Sequence, residues 1–320
     1  MQTNLGLHRF AVLLAAATLV LIFAGGLVTS TGSGLAVPDW PLSYGKLFPP
    51  MVGGVLFEHG HRMVAAAVGL LTVILAVWLW RREERPWVRR LGALAVAVVV
   101  GQGVLGGVTV LFLLPAAVSV AHAALAEVFL CLTVALAAVT SRAWRRESPR
   151  LDDSGTPGLA ALAAATTAVI YLQILLGAWM RHTGSGLAIP DFPLAYGRLV
   201  PPLQTRQIVI HFAHRAGAVV VAAFVLWLAG RIALRHRAEP KLARGALLLV
   251  AALALQIFLG AETIWSSRGV VPTTLHVALG AATLAASLAL TLTIHRVARR
   301  APAAGPSAAA LLRARAEHGP

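Results

Sequence analysis

A single cysteine, three tyrosines and only 12% charged residues are spread over 320 positions. A soluble domain carries about 25% charged residues, so the chain lacks the polar surface that a water-exposed fold needs. Cys131 has no second thiol to pair with, which excludes an intramolecular disulfide and a cysteine-based metal site. It lies within an apolar run and reads as a small packing residue. Acidic residues number 12 against 27 Lys and Arg, giving a formal net charge of +15. Such an excess suits nucleic acid or a membrane surface, and its placement along the chain decides between them.

What the sequence has in abundance is apolar length. Hydrophobic residues make up 58% of it, and the mean hydropathy is +0.78. About 20 apolar residues are needed to cross a bilayer as a helix. Eight runs qualify, at 8–29, 59–80, 90–112, 117–140, 158–180, 208–230, 242–263 and 271–294. The first is too long for the apolar core of a secretory signal, and Thr31-Gly32-Ser33-Gly34 follows it, so we read it as a retained helix. Of the 27 basic residues, twenty fall at the two ends and in the connections after the second, fourth and sixth runs. Five fall on the opposite side: Lys46, Arg181, Arg198, Arg206 and Arg268. Basic residues concentrate on the cytoplasmic side of membrane proteins, so both termini are expected there. The charge describes topology and lipid contact, and nucleic acid is not expected as a partner.

The chain also repeats itself. Thr31–Pro50 and Thr183–Pro202 are identical at fifteen of twenty positions, and His61-Arg62 and His214-Arg215 follow them. A repeat decides architecture before any other feature. Each copy follows the first span of a four-span unit, and an even number of spans returns the chain to its starting side. The expected fold class is therefore all-α and integral to the membrane. Eight transmembrane helices would form two tandem four-helix bundles, with a pseudo-two-fold axis along the membrane normal. The expected units are an N-terminal bundle over 1–145, a polar linker over 146–157, a C-terminal bundle over 158–300 and a flexible cytoplasmic tail over 301–320. The two outer loops, rich in Gly, Pro and aromatics, are expected to be ordered caps. Gln102-x-x-Leu105-Gly106 and Gln256-x-x-Leu259-Gly260, with the related Gln173-x-x-x-Gly177, read as small-residue helix packing.

Six of the eleven histidines fall at the outer starts of even-numbered spans: His59, His61, His122, His211, His214 and His276. Ionisable side chains inside a membrane are costly and mark function. His61 and His122 belong to the first unit, and His214 and His276 are their repeat equivalents. Two imidazoles on facing helices suit bis-histidine ligation of a haem iron; structural histidines and another metal remain as alternatives. Arg62 and Arg215 beside them are candidates for the carboxylates of a haem, since guanidinium pairs with carboxylate bidentately. The copies differ three residues before each His-Arg pair, where Glu58 stands in the first and His211 in the second. A carboxylate beside a haem can move protons, which marks the first unit as the reaction site and the second as a permanent cofactor site. Glu127, five residues after His122, is a second buried carboxyl, suited either to a proton path or to a buried hydrogen bond.

The duplicated TGSGLxxPDxPLxYG segment, Glu58-x-x-His61-Arg62, His211-x-x-His214-Arg215 and single histidines His122 and His276 resemble the haem A synthase family across residues 8–294. The resemblance implies a multi-pass enzyme of the bacterial inner membrane, with its histidine sites toward the periplasmic side. Such an enzyme oxidises the C8 methyl of haem O to the formyl group of haem A by successive hydroxylations, for haem-copper oxidase biogenesis. It further implies haem B between His214 and His276, haem O between His61 and His122, and a catalytic Glu58. The implied partners are the prenyltransferase that makes haem O and oxidase assembly factors. Many bacterial members carry a cysteine pair in the first outer loop; here those positions are Val37 and Ser43, with Ile189 and Ala195 in the second copy. Two other readings stand beside the enzyme: a dihaem b-type cytochrome drawing electrons from quinol, and a haem carrier or assembly factor.

Overall fold

The computed structural model describes residues 5–145, 151–153 and 155–300. Eight helices among them are long and apolar enough to cross a membrane. They are α1 (Leu5–Ser30), α2 (Gly54–Arg82), α3 (Pro86–Leu111), α4 (Ala116–Thr140), α5 (Leu159–His182), α6 (Arg206–Arg235), α7 (Pro240–Trp265) and α8 (Val270–Val297). Lipid offers no hydrogen bonds to a backbone, so apolar runs of this length satisfy their amides as helix. Pro86 and Pro240 open α3 and α7, where a missing N–H costs nothing. Threonines inside the helices return their hydroxyls to the preceding turn, as Thr18 does to the Leu14 carbonyl at 2.8 Å and Thr72 to Val68 at 2.7 Å.

Most of the helices begin earlier than the apolar runs suggest. α2 starts at Gly54, which brings Glu58 onto the same helix as Arg62, one turn away, as His211 and Arg215 are on α6. Within the first half, α1 packs on α2 and α4, and α3 on α2 and α4, closing a ring in which α2 and α4 stand on the diagonal. In the second half α5, α6, α7 and α8 close a ring of the same kind, with α6 and α8 diagonal. The halves meet where α1 and α4 pack on α8 and α4 packs on α5, and α4 and α8 are the most enclosed helices.

The join between the halves is more structured than a plain linker. A single helical turn, Arg142–Arg145, follows α4, and a short strand β1 (Leu151–Asp153) pairs in parallel with β2 (Ala298–Arg300) beyond α8. Asp153 is buried, accepts from the Leu159 amide and meets Arg231 at 2.9 Å. The expected tail over 301–320 lies outside the described residues.

A second clasp closes the first half on the same side. Glu83, fully buried in the α2–α3 turn, bonds Arg85 at 2.9 Å and Arg145 at 2.7 Å, while Arg85 also donates to the Val139 carbonyl. Burial alone would raise this carboxyl, but the hydrogen bonds and charge of Arg85, with the charge of Arg145, hold it below its ordinary 4.5. A depressed folded pKa gives stability that is present above the unfolded value and lost as pH falls through the folded one. Glu83→Ala is expected to destabilise the protein by about 2–3 kcal/mol, the scale of hydrogen bonds to charged groups. The difference from wild type should shrink as pH falls below 4.5, and thermal unfolding in detergent across that range checks it.

Candidate functional site

The two repeated loops fold alike. Thr31 and Ser33 share a hydroxyl bond of 2.8 Å, as Thr183 and Ser185 do at 2.9 Å. Asp39 accepts from the amides of Tyr44 (2.7 Å) and Gly45 (2.8 Å), and Asp191 repeats this with Tyr196 and Gly197. Both tyrosines take a left-handed backbone, with φ of 53° and 55°, and each phenol bonds a loop carbonyl, Ala36 or Ala188. The amides of Gly45 and Tyr44, helped by Arg62, hold the Asp39 carboxyl below the usual carboxylate range; Gly197, Tyr196 and Arg215 do the same for Asp191.

Arg62 and Arg215 tie these loops to the helices beneath. Arg62 donates to the carbonyls of Asp39 (2.7 Å), Leu42 (2.9 Å) and Val37 (3.1 Å) and to Glu58 (2.7 Å). Arg215 donates to the carbonyls of Leu194, Asp191 and Ile189, and its Nε lies 3.2 Å from Nε2 of His211. A guanidinium has five N–H donors, so Arg62 keeps one and Arg215 at least one. A bidentate grip on a haem carboxylate, as expected from the sequence, would require breaking loop bonds.

Glu58 and His211 share a further task. Glu58 Oε2 accepts from the Val37 amide at 2.8 Å, and His211 Nδ1 accepts from the matching Ile189 amide at 3.1 Å. Both are buried. Acid and imidazole therefore close the same clasp, but only Glu58 brings a carboxylate. A second exchange lies alongside: Ser43 and His59 bond at 2.8 Å, where the other half packs Ala195 near Phe212. Val37 and Ser43 are both buried, so the loop is held at these positions by packing and by the bond to His59.

Below the loops lie the four histidines. His61 on α2 and His122 on α4 are within electrostatic range of each other, as are His214 on α6 and His276 on α8. Each pair thus spans the diagonal of its ring. Each imidazole rests against a glycine of a flanking helix. A Cβ on Gly25, Gly106, Gly177 or Gly260 would stand 3.1, 3.1, 2.9 or 3.1 Å from Cε1 of His61, His122, His214 or His276. Contacts that close mean that any larger residue would push the ring aside. The glutamines read from the sequence as packing also reach these histidines. Gln102, Gln173 and Gln256 donate to the backbone carbonyls of His122 (3.0 Å), His214 (2.8 Å) and His276 (2.9 Å). The fixed spacing of Gln and Gly, four residues apart on α3, α5 and α7, was the available signal.

Two more groups complete the surroundings. Arg181, in the last turn of α5, bonds the Gly26 carbonyl and Ser30 hydroxyl of α1 and has no acidic partner among the described residues. It lies within electrostatic range of His276, and its Nε is buried without a partner. Glu127 on α4 is buried, with Oε2 unpartnered, and interacts with Cys131 and Tyr171 at the meeting of α4 and α5.

The donor set fits a group that takes two axial nitrogens. Two imidazoles stand within electrostatic range of each other in each half, and no cluster of three or more His, Cys, Asp or Glu suited to a metal ion occurs among the described residues. Zinc needs three or four protein ligands, whereas a haem iron would be held by two imidazoles.

Known proteins resemble this chain over most of its length. The family COX15-CtaA, cytochrome oxidase assembly protein, matches residues 8–54 and 52–289. A protein of Symbiobacterium thermophilum named Heme A synthase is 35% identical over 274 residues, 82% of this chain and 87% of that protein. One of the same name from Shouchella clausii is 32% identical over 230 residues, 70% of this chain and 75% of its own. Another from Lysinibacillus sphaericus is 26% identical over 284 residues, covering 87% and 92%.

Proposed function

The chain belongs to the COX15-CtaA family of cytochrome oxidase assembly proteins, and on that footing we propose how its two halves divide one reaction. The reaction is haem A synthesis: a multi-pass membrane oxidoreductase converts haem O to haem A by oxidising a methyl group. In our reading the eight helices form two tandem four-helix bundles about a pseudo-two-fold axis along the membrane normal, an N-terminal one over 1–145 and a C-terminal one over 158–300. Both termini face the cytoplasm of a bacterial cell, and the histidines lie toward the outer side of its inner membrane. The observation that carries this is the placement of one histidine pair across the diagonal of each ring, every ring seated on a glycine.

We assign haem O to His61 and His122 and haem B to His214 and His276. The haem iron, when bound, supplies the oxidative chemistry. The protein's own residues do the rest. The glycines let the imidazoles recede against bare backbone, which leaves the ring centre free for a flat macrocycle. The loops, fastened by Arg62 and Arg215, cover the outer ends and limit water. Glu58 is the proton acceptor of the first site, held by the Val37 amide and the Arg62 guanidinium. Arg181 carries a charge that no described acid neutralises, and would meet a haem carboxylate beside His276; Arg62 and Arg215 each offer one remaining N–H. His211 closes the second loop without offering a carboxylate, consistent with a site that holds its cofactor permanently. The prenyltransferase that makes haem O and oxidase assembly factors are the natural neighbours for delivery and removal.

The assignment is tested by purifying His122→Ala from cells that make haem O and extracting its pigments. Wild type should yield haem A or haem O together with haem B. The variant should keep haem B and lose the other two by roughly tenfold or more, since even the outer partners of metal ligands are worth 10–100-fold in affinity. Retention of haem O at His122→Ala would remove the substrate from this pair.

A further inference from the structure

Three of the four site histidines have a glutamine on their backbone carbonyl, and the fourth does not. Gln102, Gln173 and Gln256 donate to the carbonyls of His122, His214 and His276. The same amide nitrogens lie 3.3, 3.1 and 3.5 Å from Nε2 of His122, Nδ1 of His214 and Nε2 of His276. Such a ring contact would give way at a nitrogen bound to iron. In each case the glycine behind the imidazole lies four residues further along the same helix, so one helical face grips both backbone and ring. His276 gains a third bond, between Nδ1 and the Gln256 carbonyl at 3.1 Å.

His61 keeps only half of this arrangement. Gly25 backs its ring at 3.1 Å, but the residue four positions earlier is Leu21. The offset of 152 that aligns Gly25 with Gly177 aligns Leu21 with Gln173. The leucine side chain has no donor for the His61 carbonyl, although the Leu21 backbone comes within hydrogen-bonding range of the His61 ring. The two halves therefore differ around one histidine in two places, Leu21 for Gln173 and Glu58 for His211. His122 and His276, by contrast, have the same glutamine and glycine neighbours.

We propose that the glutamine is a positioning residue that braces a haem-ligating histidine, and that Leu21 leaves His61 as the ligand that yields. This rests on the assignment of haem O to His61 and His122. A site that takes in a substrate haem and hands out a product haem needs one axial bond that opens readily. A resident cofactor needs none, and His214 and His276 are both braced. The protein thus separates exchange from retention by one side chain on α1, while His122 holds the substrate haem in register.

The test follows each haem separately in purified protein, using its own absorption band during transfer to excess apomyoglobin and on adding carbon monoxide after reduction. In wild type the haem O or haem A should leave faster than haem B, and carbon monoxide should bind at the first site alone. Leu21→Gln should slow loss of the first-site haem by roughly fivefold, the scale of one interhelical hydrogen bond in a membrane, and should suppress carbon monoxide binding there. Gln173→Leu should speed haem B loss by a similar factor and open that haem to carbon monoxide. Leu21→Ala, which changes bulk without adding a donor, should not slow exchange. Unchanged rates and carbon monoxide binding in both Leu21→Gln and Gln173→Leu, with normal haem content, overturn the brace. If Leu21→Gln does not accumulate, Gln173→Leu decides alone. Failure of the underlying site assignment shows elsewhere, as haem O retained by His122→Ala.

Discussion

Glu58→Gln should leave the protein folded and loaded with haem B while lowering haem A formation by about 100-fold or more, the usual contribution of a positioned acid or base. The amide is nearly the same shape as the carboxyl. Its oxygen can still accept from the Val37 amide or from Arg62, so the loop clasp is largely preserved. What disappears is a group that can take up a proton. Glu58→His is the sharper companion, because it copies the clasp that the second half builds with His211. It should keep loop order, read as resistance of the first loop to protease, without supporting haem A formation. Chromatography of extracted pigments from cells making haem O measures both. Haem A near wild-type level in either variant would reduce Glu58 to a loop fastener.

His276→Ala carries the second large effect. It removes one of the two histidines of the proposed haem B site and leaves Gln256 of α7 facing a cavity near the start of α8, one of the two most enclosed helices. Haem B content per protein is expected to fall at least tenfold, since a ligand itself is worth no less than its outer partners. Added imidazole should restore binding in part, because the cavity has the size of the ring that was deleted, and Gly260 still provides its seat. That recovery separates loss of a ligand from loss of the fold. Unchanged haem B in His276→Ala would assign the cofactor to other residues. A permanently held haem B is suited to pass electrons to the first site, so haem A should fall as well.

Much of the site was legible before any coordinates because it occurs twice. Loop motifs, His-Arg pairs and the Glu58–His211 difference lie at matching offsets, and membrane helices leave few polar side chains to choose from. The arginines illustrate what local sequence could not tell. Their position beside histidine suggested haem carboxylates, yet the loop folds back over the helix end and takes three of the five donors of Arg62, and Glu58 takes a fourth. The backbone carbonyls that compete for a guanidinium are twenty or more residues away. Gln102, Gln173 and Gln256 were visible as a spacing but not as a contact, since their partners are on the adjacent helix. The strand pairing of 151–153 with 298–300 joins segments almost 150 residues apart, and nothing local announces it.

The sequence by itself determined eight apolar helices, their duplication and the candidate ligands, because helix length, hydropathy and repeat offset are one-dimensional properties. Only the tertiary structure decided which helices stand on a diagonal, which glycine lies behind each imidazole and which histidine lacks a brace. Those are relations between helices packed side by side, and they depend on rotation and depth that no single helix specifies. The lone leucine at position 21 has no meaning in its own helix and acquires one only beside His61.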